Sequence, residues 1–149
     1  MTILVVDDEA SYRILMKSLL TQDKHDVLMA EDGEEALEKL DEHPIDLVIS
    51  DIYMPVMDGF KFHKAVRASE KHARVPILFV SAYDDQLTTD AVQNPKIDDF
   101  LKKARPYNEM RERIRYLTAP EDQRSSRLPG SRFGARFSRY LISANSVHS

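Results

Sequence analysis

The chain has 149 residues, 42% of them hydrophobic and 31% charged, with a formal net charge of −4 and no cysteine. That length and apolar content suit one domain with a real core, and the lack of cysteine excludes disulfides and thiolate metal sites. No run of eighteen apolar residues is present to span a membrane. The apolar start Ile3–Val6 is too short for the core of a secretory leader, so a cytoplasmic protein is expected.

In chain order, Ile3–Val6 reads as a first strand that ends in Asp7-Asp8-Glu9. Leu15 and Leu19, flanked by Tyr12 and Met16, read as the inner face of a first helix. Val27–Ala30 is a second strand closed by Asp32-Gly33, and Glu34–Glu42 a helix with Ala36, Leu37 and Leu40 inward. Ile45–Ser50 is a third strand that delivers Asp51. The sequence Tyr53-Met54-Pro55-Val56-Met57-Asp58-Gly59 then forms a turn, with Asp58 placed as an acid at a helix N-terminus. Phe62, Ala65, Val66 and Ser69 fall on one helical face. Ile77–Val80 is a fourth strand ending in Ser81-Ala82. Leu87 and Ala91 suggest a weaker helix stopped by Asn94-Pro95. Phe100–Lys102 is a short fifth strand leading to Lys103, and Met110, Ile114 and Leu117 mark an amphipathic last helix.

This five-fold alternation of strand and helix predicts an α/β fold. The expected sheet is parallel and five-stranded, in the flavodoxin-like order 2-1-3-4-5, with helices on both faces. Residues 1–118 form the domain. Residues 119–149 read as linker and basic tail, disordered or a short helix, with 5 Arg against 2 acids from residue 121 onward. The acidic domain repels nucleic acid through the phosphate charge, and the tail alone would attract it.

In such a sheet the C-terminal strand ends share one edge, where ligands bind. The side chains delivered there are Asp7, Asp8, Asp51, Ser81 and a lysine, Lys102 or Lys103. Two like charges about 4 Å apart repel by roughly 4 kcal/mol at an effective dielectric of 20. Three carboxylates therefore need a cation or raised pKa values. An oxygen-only site favours Mg2+, with Mn2+ as the alternative. The histidines at positions 25, 43, 63, 72 and 148 lack ligand spacing and are read as surface residues.

The strings Ile3-Leu4-Val5-Val6-Asp7-Asp8-Glu9 and Asp51-Ile52-Tyr53-Met54-Pro55-Val56-Met57-Asp58-Gly59 resemble the receiver domain of bacterial two-component response regulators. So do Val80-Ser81-Ala82 and Asp99-Phe100-Leu101-Lys102-Lys103, in matching order and spacing over about residues 1–118. The resemblance implies that Asp51 is the phosphoacceptor and that Asp8, Asp51 and the Tyr53 carbonyl hold Mg2+ with help from Asp7. It also implies that Ser81 and Lys103 contact the phosphoryl oxygens. It further implies a phosphorylated switch, not an enzyme beyond slow self-dephosphorylation. In that switch Phe100 changes its packing, and the surface of the fourth helix, fifth strand and last helix changes with it. A sensor histidine kinase or phosphotransfer protein would be the donor. An output domain, a downstream protein or a second copy bound through that surface would read the state. The sequence departs from the family at Ala104, where proline usually follows the lysine, so a trans Lys103–Ala104 bond is expected. Two rival readings are a small Mg2+-dependent aspartyl phosphohydrolase and a degenerate receiver used only for protein binding. Tyr53, where the first would need an acid, and the intact acids argue against them.

Overall fold

In a computed structural model the described residues are 1–83, 90–120, 122 and 124. Five strands, β1 (Thr2–Val6), β2 (Asp26–Ala30), β3 (Leu47–Asp51), β4 (Ile77–Ser81) and β5 (Asp98–Lys102), form one sheet in the order β2-β1-β3-β4-β5. Every pair is parallel, with Val6 level with Ser50 and Ser81 level with Lys102. The expected topology is therefore present, and it sets the end of β1 beside the end of β3.

Helices α1 (Ala10–Gln22), α2 (Gly33–Glu42), α3 (Gly59–Ala68) and α4 (Tyr107–Thr118) cover the sheet in two layers. Because side chains alternate along a strand, Leu4, Val6, Val48 and Phe79 meet α2 and α3 residues Ala36, Leu40, Phe62 and Val66. Ile3, Val5, Ile49 and Val80 meet Met16 and Leu20 of α1 and Met110, Ile114 and Leu117 of α4. The continuous apolar runs of the strands follow from this two-sided burial. Asp32 and Asp58 cap α2 and α3, accepting the N–H groups of Glu35 and Lys61 at 2.9 Å; each such cap contributes about 1 kcal/mol.

Several expectations are corrected. Leu15 is 52% exposed, and the inner face of α1 is carried by Met16 and Leu20 with Tyr12 and Leu19 beside them. β3 begins at Leu47, because the Asp46 carboxylate turns to accept the Thr2 N–H at 2.7 Å. β5 begins two residues before Phe100, because each preceding acid has a cationic partner on a helix, although burial still pushes the Asp99 carboxyl well up against the pull of Arg113. Asp98 meets His63 at 3.0 Å and Arg67 at 2.6 Å; Asp99 lies 3.8 Å from the buried Arg113 of α4. His63 is thus no surface residue: it is 4% exposed, with its ring centroid 5.6 Å from that of Phe79. Leu87, and with it most of the expected fourth helix, lies outside the described residues, as does the tail from residue 125.

Candidate functional site

The strand ends bring the expected acids together. Asp7, Asp8 and Asp51 each offer a carboxylate oxygen within 4.8 Å of the others'. Asp7 and Asp51 are buried and Asp8 is exposed. Asp7 is fixed by its own backbone. Its N–H donates to the Ala30 carbonyl at 3.1 Å, its carbonyl accepts from Arg13 at 2.6 Å, and its Oδ1 accepts the Glu9 N–H at 2.9 Å. Asp51 Oδ1 accepts the Ile52 N–H at 2.7 Å.

Of the two lysines, Lys103 is the one that reaches the acids. Its Nζ lies 2.8 Å from Asp7 Oδ2, 3.3 Å from Asp51 Oδ2 and 3.8 Å from Glu9 Oε1. It also lies 4.4 Å from the centroid of the Tyr12 ring. The Lys103 N–H donates to the Ser81 carbonyl at 2.9 Å, tying the lysine to the end of β4. Among the described residues no peptide bond is cis, so the Lys103–Ala104 bond is trans as expected. Ser81 is fully buried, and its Oγ accepts the Tyr83 N–H at 3.1 Å. Tyr53 and Tyr83, exposed on the loops after β3 and β4, meet edge to face with 5.7 Å between centroids.

The loop after β3 is folded tightly onto the strand end. Gly59 donates its N–H to the Ile52 carbonyl at 2.6 Å, and a Cβ on Gly59 would lie 2.7 Å from the Asp51 carbonyl oxygen. Glycine is required there by close approach. Within the loop the Met57 N–H donates to the Pro55 carbonyl at 2.7 Å, and Val56 between them has φ 67°. A β-branched residue in the left-handed region is strained, as is a three-residue turn of this sense.

The electrostatics are those of a site short of positive charge. Burial, and then Asp7, push the Asp51 carboxyl up, against the opposing pull of Lys103 and the Ile52 N–H. Burial alone would lower the Lys103 ammonium, but the hydrogen bond to Asp7 and the charge of Asp51 carry it above its ordinary value. Burial, Asp7 and Asp51 push the Tyr12 phenol up, so it stays neutral. One ammonium thus leaves the acids undercompensated, and hard oxygen donors with one exposed member fit a divalent cation of the Mg2+ type.

Sequence reasoning missed Glu9, Tyr12 and Arg13. Glu9 and Tyr12 face Lys103, and Arg13 grips the Asp7 carbonyl and lies 3.6 Å from Glu31. The available signal was their place in the first turns after Asp8, at the end of the sheet where the site lies.

The family model for the response regulator receiver domain matches residues 3–115. Response regulator RR06 of Streptococcus pneumoniae is 38% identical over 103 residues, covering 69% of this chain and 46% of that protein. The chain thus spans about half the length of that curated relative. Chemotaxis protein CheY4 of Vibrio cholerae superposes with a TM-score of 0.71 at 30% identity, over 78% of this chain and 97% of that one. Response regulator protein TrrA of Thermotoga maritima, solved in complex with Mg2+-BeF, gives 0.67 at 33% identity over 78% and 97%. The chain belongs to the family of receiver domains of two-component response regulators.

Proposed function

We propose that Asp51 accepts a phosphoryl group from a phosphorylated histidine on a sensor kinase or phosphotransfer protein. The observation that carries this reading is the meeting of Asp7, Asp8 and Asp51 with the Lys103 ammonium at one sheet edge. An Asp51 carboxylate oxygen forms a bond to phosphorus while the phosphorus–nitrogen bond of the donor breaks. The electron pair stays on the imidazole nitrogen, which takes up a proton. An ionised carboxylate needs no general base, so the work of the site is positioning and charge compensation. Lys103 moves from the carboxylates to a phosphoryl oxygen, and the Ser81 hydroxyl donates to another. Asp8, Asp51 and the Tyr53 carbonyl would hold Mg2+, with Asp7 assisting. The cation would neutralise charge on the transferring group, and the Mg2+-BeF complex of the relative TrrA supports that choice of ion.

The new group adds about −1.5 to −2 charge. It stabilises the arrangement in which Ser81 turns toward it and the packing of Phe100, already buried on β5 and level with Phe79, changes with it. The shift is limited by how differently the phosphoryl group contacts the two arrangements. The face made by β5, α4 and the segment before β5 then presents the signal to an output domain, a downstream protein or a second copy. Residues 1–118 are the receiver, residues 119–149 the linker and tail, and the cytoplasm the compartment in which such a donor is met. The test is incubation of the full chain with acetyl phosphate and Mg2+, read by intact mass. The wild type should gain about 80 Da and Asp51→Asn should not. Equal gain in the two proteins removes Asp51 as the acceptor.

A further inference from the structure

The tip of Lys103 ends a flexible four-carbon stem, and its backbone hydrogen bond to Ser81 fixes only the root. What aims the tip is the set of groups around it: Asp7 at 2.8 Å, Asp51 at 3.3 Å, Glu9 at 3.8 Å and the Tyr12 ring at 4.4 Å. Two of the three carboxylates belong to the cluster that fits a cation, and Asp51 also changes charge when it is modified. A bound cation therefore weakens their pull on the ammonium before the phosphoryl group arrives. Glu9 is exposed and beyond hydrogen-bond distance, so its pull is screened. The ring is the contact whose own charge neither the cation nor the modification of Asp51 alters. It is neutral throughout, attracts a cation through its face, and sits on a fixed support. That support is α1, which packs through Met16 and Leu20 and is clamped by Arg13 to the Asp7 carbonyl at 2.6 Å.

We propose that Tyr12 is a positioning residue for phosphoryl transfer, its ring face holding the Lys103 ammonium beside Asp51 so that it acts on the reaction only through Lys103. The inference rests on the reading of Asp51 as acceptor. It assigns a role to the aromatic ring and none to the hydroxyl.

The test keeps the shape of the side chain and removes its electrostatics. In the full chain, Tyr12 is replaced by phenylalanine, then by phenylalanines bearing one, two and three fluorines, and separately by leucine. Acyl phosphate formation from acetyl phosphate with saturating Mg2+ is timed by intact mass, in the native background and in Lys103→Ala. Tyr12→Leu should slow formation roughly 2- to 30-fold, and Tyr12→Phe should restore what Tyr12→Leu loses. The fluorine series should slow it stepwise, because each fluorine weakens the ring face without changing the packing. In the Lys103→Ala background the series should be flat. A flat series in the native background, or an equal slope in both, overturns the role of Tyr12 while leaving Asp51 as acceptor. Failure of the wild type to form any acyl phosphate overturns the acceptor reading, and this role for Tyr12 with it.

Discussion

Replacing Asp98 by asparagine should cost about 3 kcal/mol of folding stability. The Asp98 side chain is 1% exposed and accepts four hydrogen bonds: from Arg67 at 2.6 Å, His63 at 3.0 Å, and the N–H groups of Asn94 and Gln93 at 2.9 and 3.2 Å. Breaking a buried pair by removing one partner costs about 3–5 kcal/mol, because the other charge is left uncompensated. Asparagine keeps one carbonyl acceptor, which places the loss at the low end. Set against a domain stability of about 5–15 kcal/mol, the variant should remain folded at 25 °C. Its urea midpoint should fall by about 1–3 M at an m-value of about 1–3 kcal/mol/M. The pH dependence has a definite sign. Burial pushes the Asp98 carboxyl up, but His63 and Arg67 outweigh it and hold the group below its ordinary value. A lowered folded pKa contributes stability above the unfolded value of about 3.9, and that stability is lost as pH falls through the folded value. The gap between wild type and Asp98→Asn should be full at pH 7 and close in acid. Asp98 opens β5 whereas Asp51 closes β3, at the other end of the sheet, so phosphorylation by acetyl phosphate should keep its native rate. A loss below about 1 kcal/mol at pH 7, or a gap that widens on acidification, would refute the reasoning.

Two other outcomes are expected. Asp51→Asn should raise the melting temperature of the Mg2+-free protein at neutral pH, since burial and Asp7 push the native carboxyl up and its ionised form destabilises the fold. Each kcal/mol regained is worth about 2–8 °C. The advantage should be complete above the raised folded pKa and vanish as pH falls below the unfolded one, and scanning calorimetry across that range checks it. The acyl phosphate should decay slowly, because Tyr53 and Tyr83, each two residues past a site side chain, meet edge to face and should limit the approach of water. Tyr53→Asn or Tyr83→Ala should shorten its half-life; if neither does, the rings do not set the lifetime.

The sheet order and the acids at its edge were legible because strands buried on both faces write themselves as apolar runs, and each run ends in the residue it delivers. Partners that come from distant elements were not legible. Helical spacing favoured Leu15 as much as Met16, and only the packing of α1 on β1 and on α4 separates them. His63 looked like a solvent residue because its partner, Asp98, lies 35 positions away in the chain. The same ignorance shortened β5, since two acids in succession argue against a buried strand until their cations are found. Lys102 and Lys103 could not be told apart by type; the strand's alternation and the hydrogen bond to Ser81 decide between them.

Asp98 and Asp99 are neighbours on β5, yet one is matched by α3 and the other by α4, on opposite faces of the sheet. β5 is an edge of the sheet among the described strands, where pairing is easiest to misplace. Sliding β5 by one residue would exchange the faces of every side chain on it. Apolar Phe100 and Leu101 would tolerate that exchange. The two acids would not: a slide in either direction moves one of them beyond its partner and leaves a buried cation of α3 or α4 facing an apolar residue, Ile97 or Phe100. The adjacent carboxylates therefore act as a two-sided key: they define the alignment of the strand that carries Lys103, and so the alignment of the lysine with its acids.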